Sequence, residues 1–124
     1  MFSPKLFFKS FTNAFRGVKN VLQSEQNFRV QVVASIIVII IAVVLKISYI
    51  EKSIILLLIC FVLTTELINT AFERMADVLK PRLHPYIGQI KDILAAAVLI
   101  VAIFACIIGL IIFVPAIAKI IGGY

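Results

Sequence analysis

The chain has 124 residues, 63% of them hydrophobic, a formal net charge of +6 and a mean hydropathy of +1.17. Soluble domains are roughly 45–50% apolar, so an ordinary soluble domain is excluded. The basic surplus does not point to nucleic acid, because Lys and Arg sit in short segments flanking long apolar runs, where positive-inside sorting places them.

The pattern predicts one all-α integral membrane domain over residues 1–124, with three transmembrane helices and an amphipathic helix before them. Ser3-Pro4 reads as a helix start, a capping hydroxyl followed by proline at the first helical position. Over residues 4–23, Phe7, Phe8, Phe11, Ala14, Phe15, Val18, Val21 and Leu22 share one face. Lys9, Thr12, Asn13, Arg16, Lys19 and Asn20 take the other. A basic face behind a Phe-rich stripe describes a helix lying in the membrane interface; the alternative is a soluble helix packed on a partner. No continuous apolar core of a cleavable signal peptide is expected, since Phe alternates with Lys at the N-terminus.

Glu25-Gln26-Asn27-Phe28-Arg29 forms a polar hinge, and the first span is expected over 28–46, interrupted by Gln31 and Ser35. A polar turn follows over 46–53, with Glu51 and Lys52. The second helix is expected over 53–80, stopped by Lys80-Pro81. At 1.5 Å per residue it reaches about 40 Å, beyond a hydrocarbon core of about 30 Å, so its last third projects into the interface. A loop over 82–89 holds the lone His84, read as a loop residue and not a metal ligand. The third span is expected over 90–114, ending before Pro115. Cys60 and Cys106 lie in apolar runs without metal-ligand spacing and read as packing thiols.

Orientation follows from Lys and Arg. Lys5, Lys9, Arg16, Lys19, Arg29, Arg74, Lys80, Arg82 and Lys91 fall on one side, against Lys46, Lys52 and Lys119 on the other. That asymmetry predicts a multi-pass protein with its N-terminus in the cytoplasm and its C-terminus outside.

The chemistry concentrates in the stretch 64–79, TTELINTAFERMADVL. At 100° per residue Glu66, Glu73 and Asp77 fall within about 40° of one another, with Thr70 among them and Asn69 beside them. Carboxylates on a helix that begins in hydrocarbon are costly and mark a functional site. Such a cluster can bind Mg²⁺ or supply a general base. Glu66, nearest the apolar run, suits the base; Glu73, two turns on, suits a metal ligand. Lys91 can neutralise a phosphate and Asp92 can orient a donor. The bland alternative is a set of solvated carboxylates paired with Arg74 or Lys91. No phosphate-binding Gly-x-x-x-x-Gly-Lys loop is present. The residues alone leave a transporter with an acidic site open beside an enzyme.

The run from Glu66 to Glu73, Glu-Leu-Ile-Asn-Thr-Ala-Phe-Glu, resembles the signature of the prokaryotic diacylglycerol kinase family, which includes the undecaprenol kinases of Gram-positive bacteria. Asp77 stands at that family's usual offset. Lys91-Asp92 with the small residues after it, and Glu25 to Arg29 before the first span, resemble two further family motifs. Ala96 departs from the pattern, standing where glycine is usual; Ala95-Ala96-Ala97 still permits close helix approach.

The resemblance implies an ATP- and Mg²⁺-dependent kinase acting on a membrane lipid alcohol, diacylglycerol or undecaprenol, and a homotrimer with sites between subunits. It makes Glu66 the general base and Glu25 with Glu73 the metal ligands. Asn69, Asp77, Lys91 and Asp92 join the nucleotide-binding residues, with Lys9, Asn13 and Arg16 of the first helix. The Leu-Ile-Asn-Thr-Ala run, His84-Pro85 and the apolar stretch up to Pro115 look closer to the undecaprenol kinases. The competing readings are a proton-coupled transporter using Glu66 and a non-catalytic membrane assembly protein.

Overall fold

The computed structural model describes residues 1–79 and 85–123. Four helices follow one another: α1 (Pro4–Ser24), α2 (Gln26–Val44), α3 (Tyr49–Leu79) and α4 (Tyr86–Gly122). No strand occurs among the described residues. α2, α3 and α4 are each long and apolar enough to cross a membrane.

α1 starts as expected, with Ser3 as the capping position and Pro4 in the first turn, although the Ser3 side chain makes no capping hydrogen bond. Phe7, Phe8, Phe11 and Phe15 stand exposed along it, and Phe7 and Phe11 meet edge-on with centroids 5.0 Å apart. Glu25 takes an extended conformation that breaks α1 from α2. The Arg29 guanidinium reaches back across the break and donates to the carbonyls of Leu22 (3.1 Å) and Gln23 (2.9 Å). It thereby satisfies carbonyls that the end of α1 leaves without helical partners.

The segment 46–53 is not a polar turn throughout, for α2 ends at Val44 and α3 already begins at Tyr49. Two interactions explain the earlier start. Lys46 turns the chain with a positive φ of 51°. Ser48 and Glu51 then form a capping box: the Ser48 amide donates to Glu51 Oε2 (2.8 Å) and the Glu51 amide to Ser48 Oγ (3.2 Å). The expected stop of this helix at Lys80-Pro81, and His84, lie outside the described residues.

α4 also exceeds its expected bounds. It begins at Tyr86, inside the stretch read as a loop, and runs through Pro115 to Gly122. Proline deletes one backbone donor and crowds the preceding turn, but its φ fits a helix, and such residues are tolerated in membrane helices. Gly123, with a φ of 67°, takes the left-handed conformation that ends it.

α3 and α4, with 31 and 37 residues, reach about 46 and 55 Å, well beyond a hydrocarbon core of about 30 Å. α3 runs antiparallel to both neighbours, so the C-terminal half of α3 meets the starts of α2 and α4. At the opposite end Ala42, Ile47, Ile55 and Ile112 form the buried apolar cluster. Most other apolar side chains on the spans face outward. Packing, and not water exclusion, holds such helices together in lipid. Ile55→Ala should therefore cost about 2 kcal/mol through the void it leaves, whereas the exposed Leu57→Ala should cost far less. Denaturant unfolding in detergent checks the difference.

Candidate active site

The buried polar residues among those described are Glu66, Asn69 and Thr70, all on the C-terminal half of α3. Glu66 is only 4% exposed. Its Oε2 accepts a 3.0 Å hydrogen bond from Nε2 of Gln31, one turn into α2. A hydrogen bond to a charged group contributes about 1.5–3 kcal/mol net, and it ties the first span to the second at the carboxylate.

Along the same stripe the carboxylates become progressively exposed. Glu73 is half-buried and accepts from Asn69 Nδ2 at 3.1 Å. Asp77 lies one turn further out, with its side chain 64% exposed, and pairs with Lys91 of α4 at 3.2 Å. That ion pair joins the end of α3 to the start of α4. Asp92, next to it, is exposed.

Glu25, at the break between α1 and α2, pairs with Arg74 of α3 at 3.3 Å. Arg74 also donates to Asn20 Oδ1 at 2.9 Å and to the Ser24 hydroxyl. The guanidinium therefore clamps the end of α1 against α3. Beside it a groove of about 480 Å³ opens between the two helices, bordered by Asn13, Arg16, Asn20, Thr70 and Arg74. Lys9 is exposed on α1 and is not among the residues bordering it.

Two of the carboxylates singled out in the sequence are thus held by the cations named in the bland alternative. Glu25 is engaged by Arg74 and Asp77 by Lys91, while Glu66 and Glu73 are engaged by amides. Among the described residues, no three His, Cys, Asp or Glu side chains come together as a metal cage. Mg²⁺ does not need one, since it commonly takes one or two carboxylates together with substrate phosphates. The donors here are oxygens of the right kind. Asn69 Oδ1, beside Glu73, is buried with no hydrogen-bond partner. An oxygen buried and unpaired costs about 1–3 kcal/mol unless a ligand meets it, and this one fits a hard cation.

Gln31 escaped the sequence reading, where it counted only as an interruption of the first span. The signal was present, as a lone amide in an otherwise apolar helix, but a period within α2 cannot show that it faces Glu66 thirty-five positions away.

The fold and this end of it define a multi-pass helical membrane protein with a buried carboxylate backed by amide and cationic side chains. Sequence comparison makes the class specific. The profile of the family described as prokaryotic diacylglycerol kinase matches residues 12–113, and the chain belongs to that family. It is similar to the undecaprenol kinase of Bacillus subtilis (strain 168), with 41% identity over 109 residues, covering 88% of this chain and 89% of the relative. A diacylglycerol kinase of Synechocystis is 35% identical over 101 residues, covering 81% of this chain and 58% of the relative. The diacylglycerol kinase of Escherichia coli (strain K12) is 30% identical over 94 residues, covering 76% and 77%. The chain is a lipid kinase, which displaces the transporter and assembly readings.

Arg74→Ala should release α1 from α3 at a cost below about 1 kcal/mol, because the ion pair is partly exposed. Spin labels at Asn13 and Ala71 should show a broadened distance distribution.

Proposed function

We propose that this lipid kinase transfers the γ-phosphoryl group of ATP to the hydroxyl of a membrane lipid alcohol, undecaprenol in preference to diacylglycerol. The observation that carries the reading is Glu66, buried on an apolar span and fixed by Gln31. A carboxylate in that position is oriented to take a proton from a hydroxyl nucleophile within the membrane. The lipid oxygen bonds the γ-phosphorus, its proton goes to Glu66, and the bond to the β-phosphate oxygen breaks to release ADP. Support for undecaprenol comes from the 41% identity to the Bacillus subtilis undecaprenol kinase.

The nucleotide lies along the groove between α1 and α3 that Asn13, Arg16 and Arg74 border, with Lys9 exposed one turn earlier on α1. Lys91, held at the start of α4 by Asp77, neutralises phosphate charge. Asp92 orients a donor beside it. Glu25, Asn69 and Glu73 would hold Mg²⁺, which when bound supplies charge neutralisation on the phosphates. Catalysis then rests on positioning and on fixed opposite charge.

The phenylalanine stripe of α1 lies in the membrane interface, with its Lys and Arg toward headgroups. The N-terminus is cytoplasmic and the C-terminus outside. The protein works as a homotrimer: a single chain leaves most of its apolar span surface uncovered, and its carboxylates need walls on further sides.

Glu66→Gln should preserve folding and nucleotide binding while lowering phosphoryl transfer by at least about 10²-fold, the scale of a lost general base. Normal turnover in detergent–lipid micelles would remove Glu66 from that role. Glu73→Gln should shift the Mg²⁺ titration of activity to higher concentration, and an unmoved titration would contradict metal ligation.

A further inference from the structure

Arg74 stands one residue beyond the run that ends at Glu73. Among the described residues it is the cation that α3 brings to the groove against α1, whose border otherwise holds Arg16 and no carboxylate. Such a border attracts a polyanion. Nη1 of Arg74 donates to Asn20 Oδ1, and Nη2 donates to the Ser24 hydroxyl and to Glu25 Oε1. The Nε–H enters none of these contacts. The tie to Glu25 is loose. It measures 3.3 Å, against about 2.7–2.9 Å for a tight charge-assisted bond, and the two side chains are 44% and 33% exposed. Oε1 of Glu25 takes both Arg74 and the Ser24 hydroxyl, while Oε2 is engaged by neither.

We propose that Arg74 is a nucleotide-phosphate residue: as Glu25 shares its charge with the divalent cation, the guanidinium turns its free donors to a phosphate oxygen in the groove between α1 and α3. The assignment rests on the reading that seats the nucleotide there, with Glu25 among the residues for Mg²⁺, and adds a contact to it.

Charge carries the argument. Glu25 has one negative charge, and Arg74 already draws on it. With a divalent cation on the same carboxylate, the guanidinium is short of an anion and the two like charges repel. The nucleotide brings the oxygens that restore the balance. Arg74 has little distance to cover, because it already borders the groove and its uncommitted Nε–H leaves the bonds to Asn20 and Ser24 in place. Lysine cannot substitute, since an ammonium lacks the flat fork that matches a phosphate.

The test uses the full chain in detergent–lipid micelles. Mn²⁺ alone is titrated by electron paramagnetic resonance, and ADP and adenosine are titrated by calorimetry with Mg²⁺ saturating. Arg74→Gln keeps an amide donor and removes the charge. It should tighten Mn²⁺ about threefold, since Glu25 is no longer shared. It should also weaken ADP about tenfold more than adenosine, which carries no phosphate. Glu25→Gln frees the guanidinium from the other side. ADP without any divalent cation should then bind about threefold tighter, and the gain should vanish when Arg74→Gln is added. Parallel weakening of Mn²⁺, ADP and adenosine in Arg74→Gln would make Arg74 a clamp alone and overturn the proposal. A fixed Mn²⁺ affinity would overturn the sharing of Glu25, and equal shifts of ADP and adenosine would overturn the phosphate contact. Should Arg74→Gln not fold, Glu25→Gln decides by itself, and an untightened ADP overturns the proposal. A wild type that phosphorylates lipid, with ADP unmoved in both variants, would overturn the inference and leave the kinase reading standing. A wild type that binds no ADP would sink the inference together with the nucleotide seat beneath it.

Discussion

The hydrogen bond from Gln31 to Glu66 sets the terms for the rest of the molecule. A carboxylate 4% exposed among apolar helices is tolerable only with a fixed donor, and the donor comes from the neighbouring span. That requirement sets the register of α2 against α3. With α2 anchored there, its start lies beside the C-terminal half of α3, and the break at Glu25 falls within reach of Arg74. The apolar cluster of Ala42, Ile47, Ile55 and Ile112 closes the opposite end, where no polar chemistry is needed.

From Glu66 outward the stripe on α3 becomes progressively wetter. Glu66 is buried, Glu73 half-buried and Asp77 exposed, each with a different partner. This gradient fits the proposed transfer of a phosphoryl group from a nucleotide in water to a hydroxyl in lipid. The cations are paired and not left loose: Lys91 with Asp77 and Arg74 with Glu25. Partly exposed pairs of this kind contribute little to stability, about 0–1 kcal/mol each.

Much of this was legible in the sequence, for reasons that differ from residue to residue. The three spans follow from hydropathy, and the α3 stripe from a 100° step, because both signals lie within one helix. The start of α3 was also written there, as Ser48-Tyr49-Ile50-Glu51, but the capping box was hidden inside a run that looked merely polar. Pro115 misled in the other direction, since a rule drawn from helix interiors in water does not end a membrane helix. The pairing of Gln31 with Glu66, and of Arg74 with Asn20, Ser24 and Glu25, joins positions thirty-five or more residues apart. Periodicity within one helix carries no information about such contacts.

The most direct measurement offers undecaprenol and diacylglycerol in competition to the purified protein, with γ-labelled ATP and Mg²⁺, and separates the products by chromatography. The account predicts label on lipid, more of it on undecaprenol. A folded protein that leaves both lipids unlabelled would contradict it.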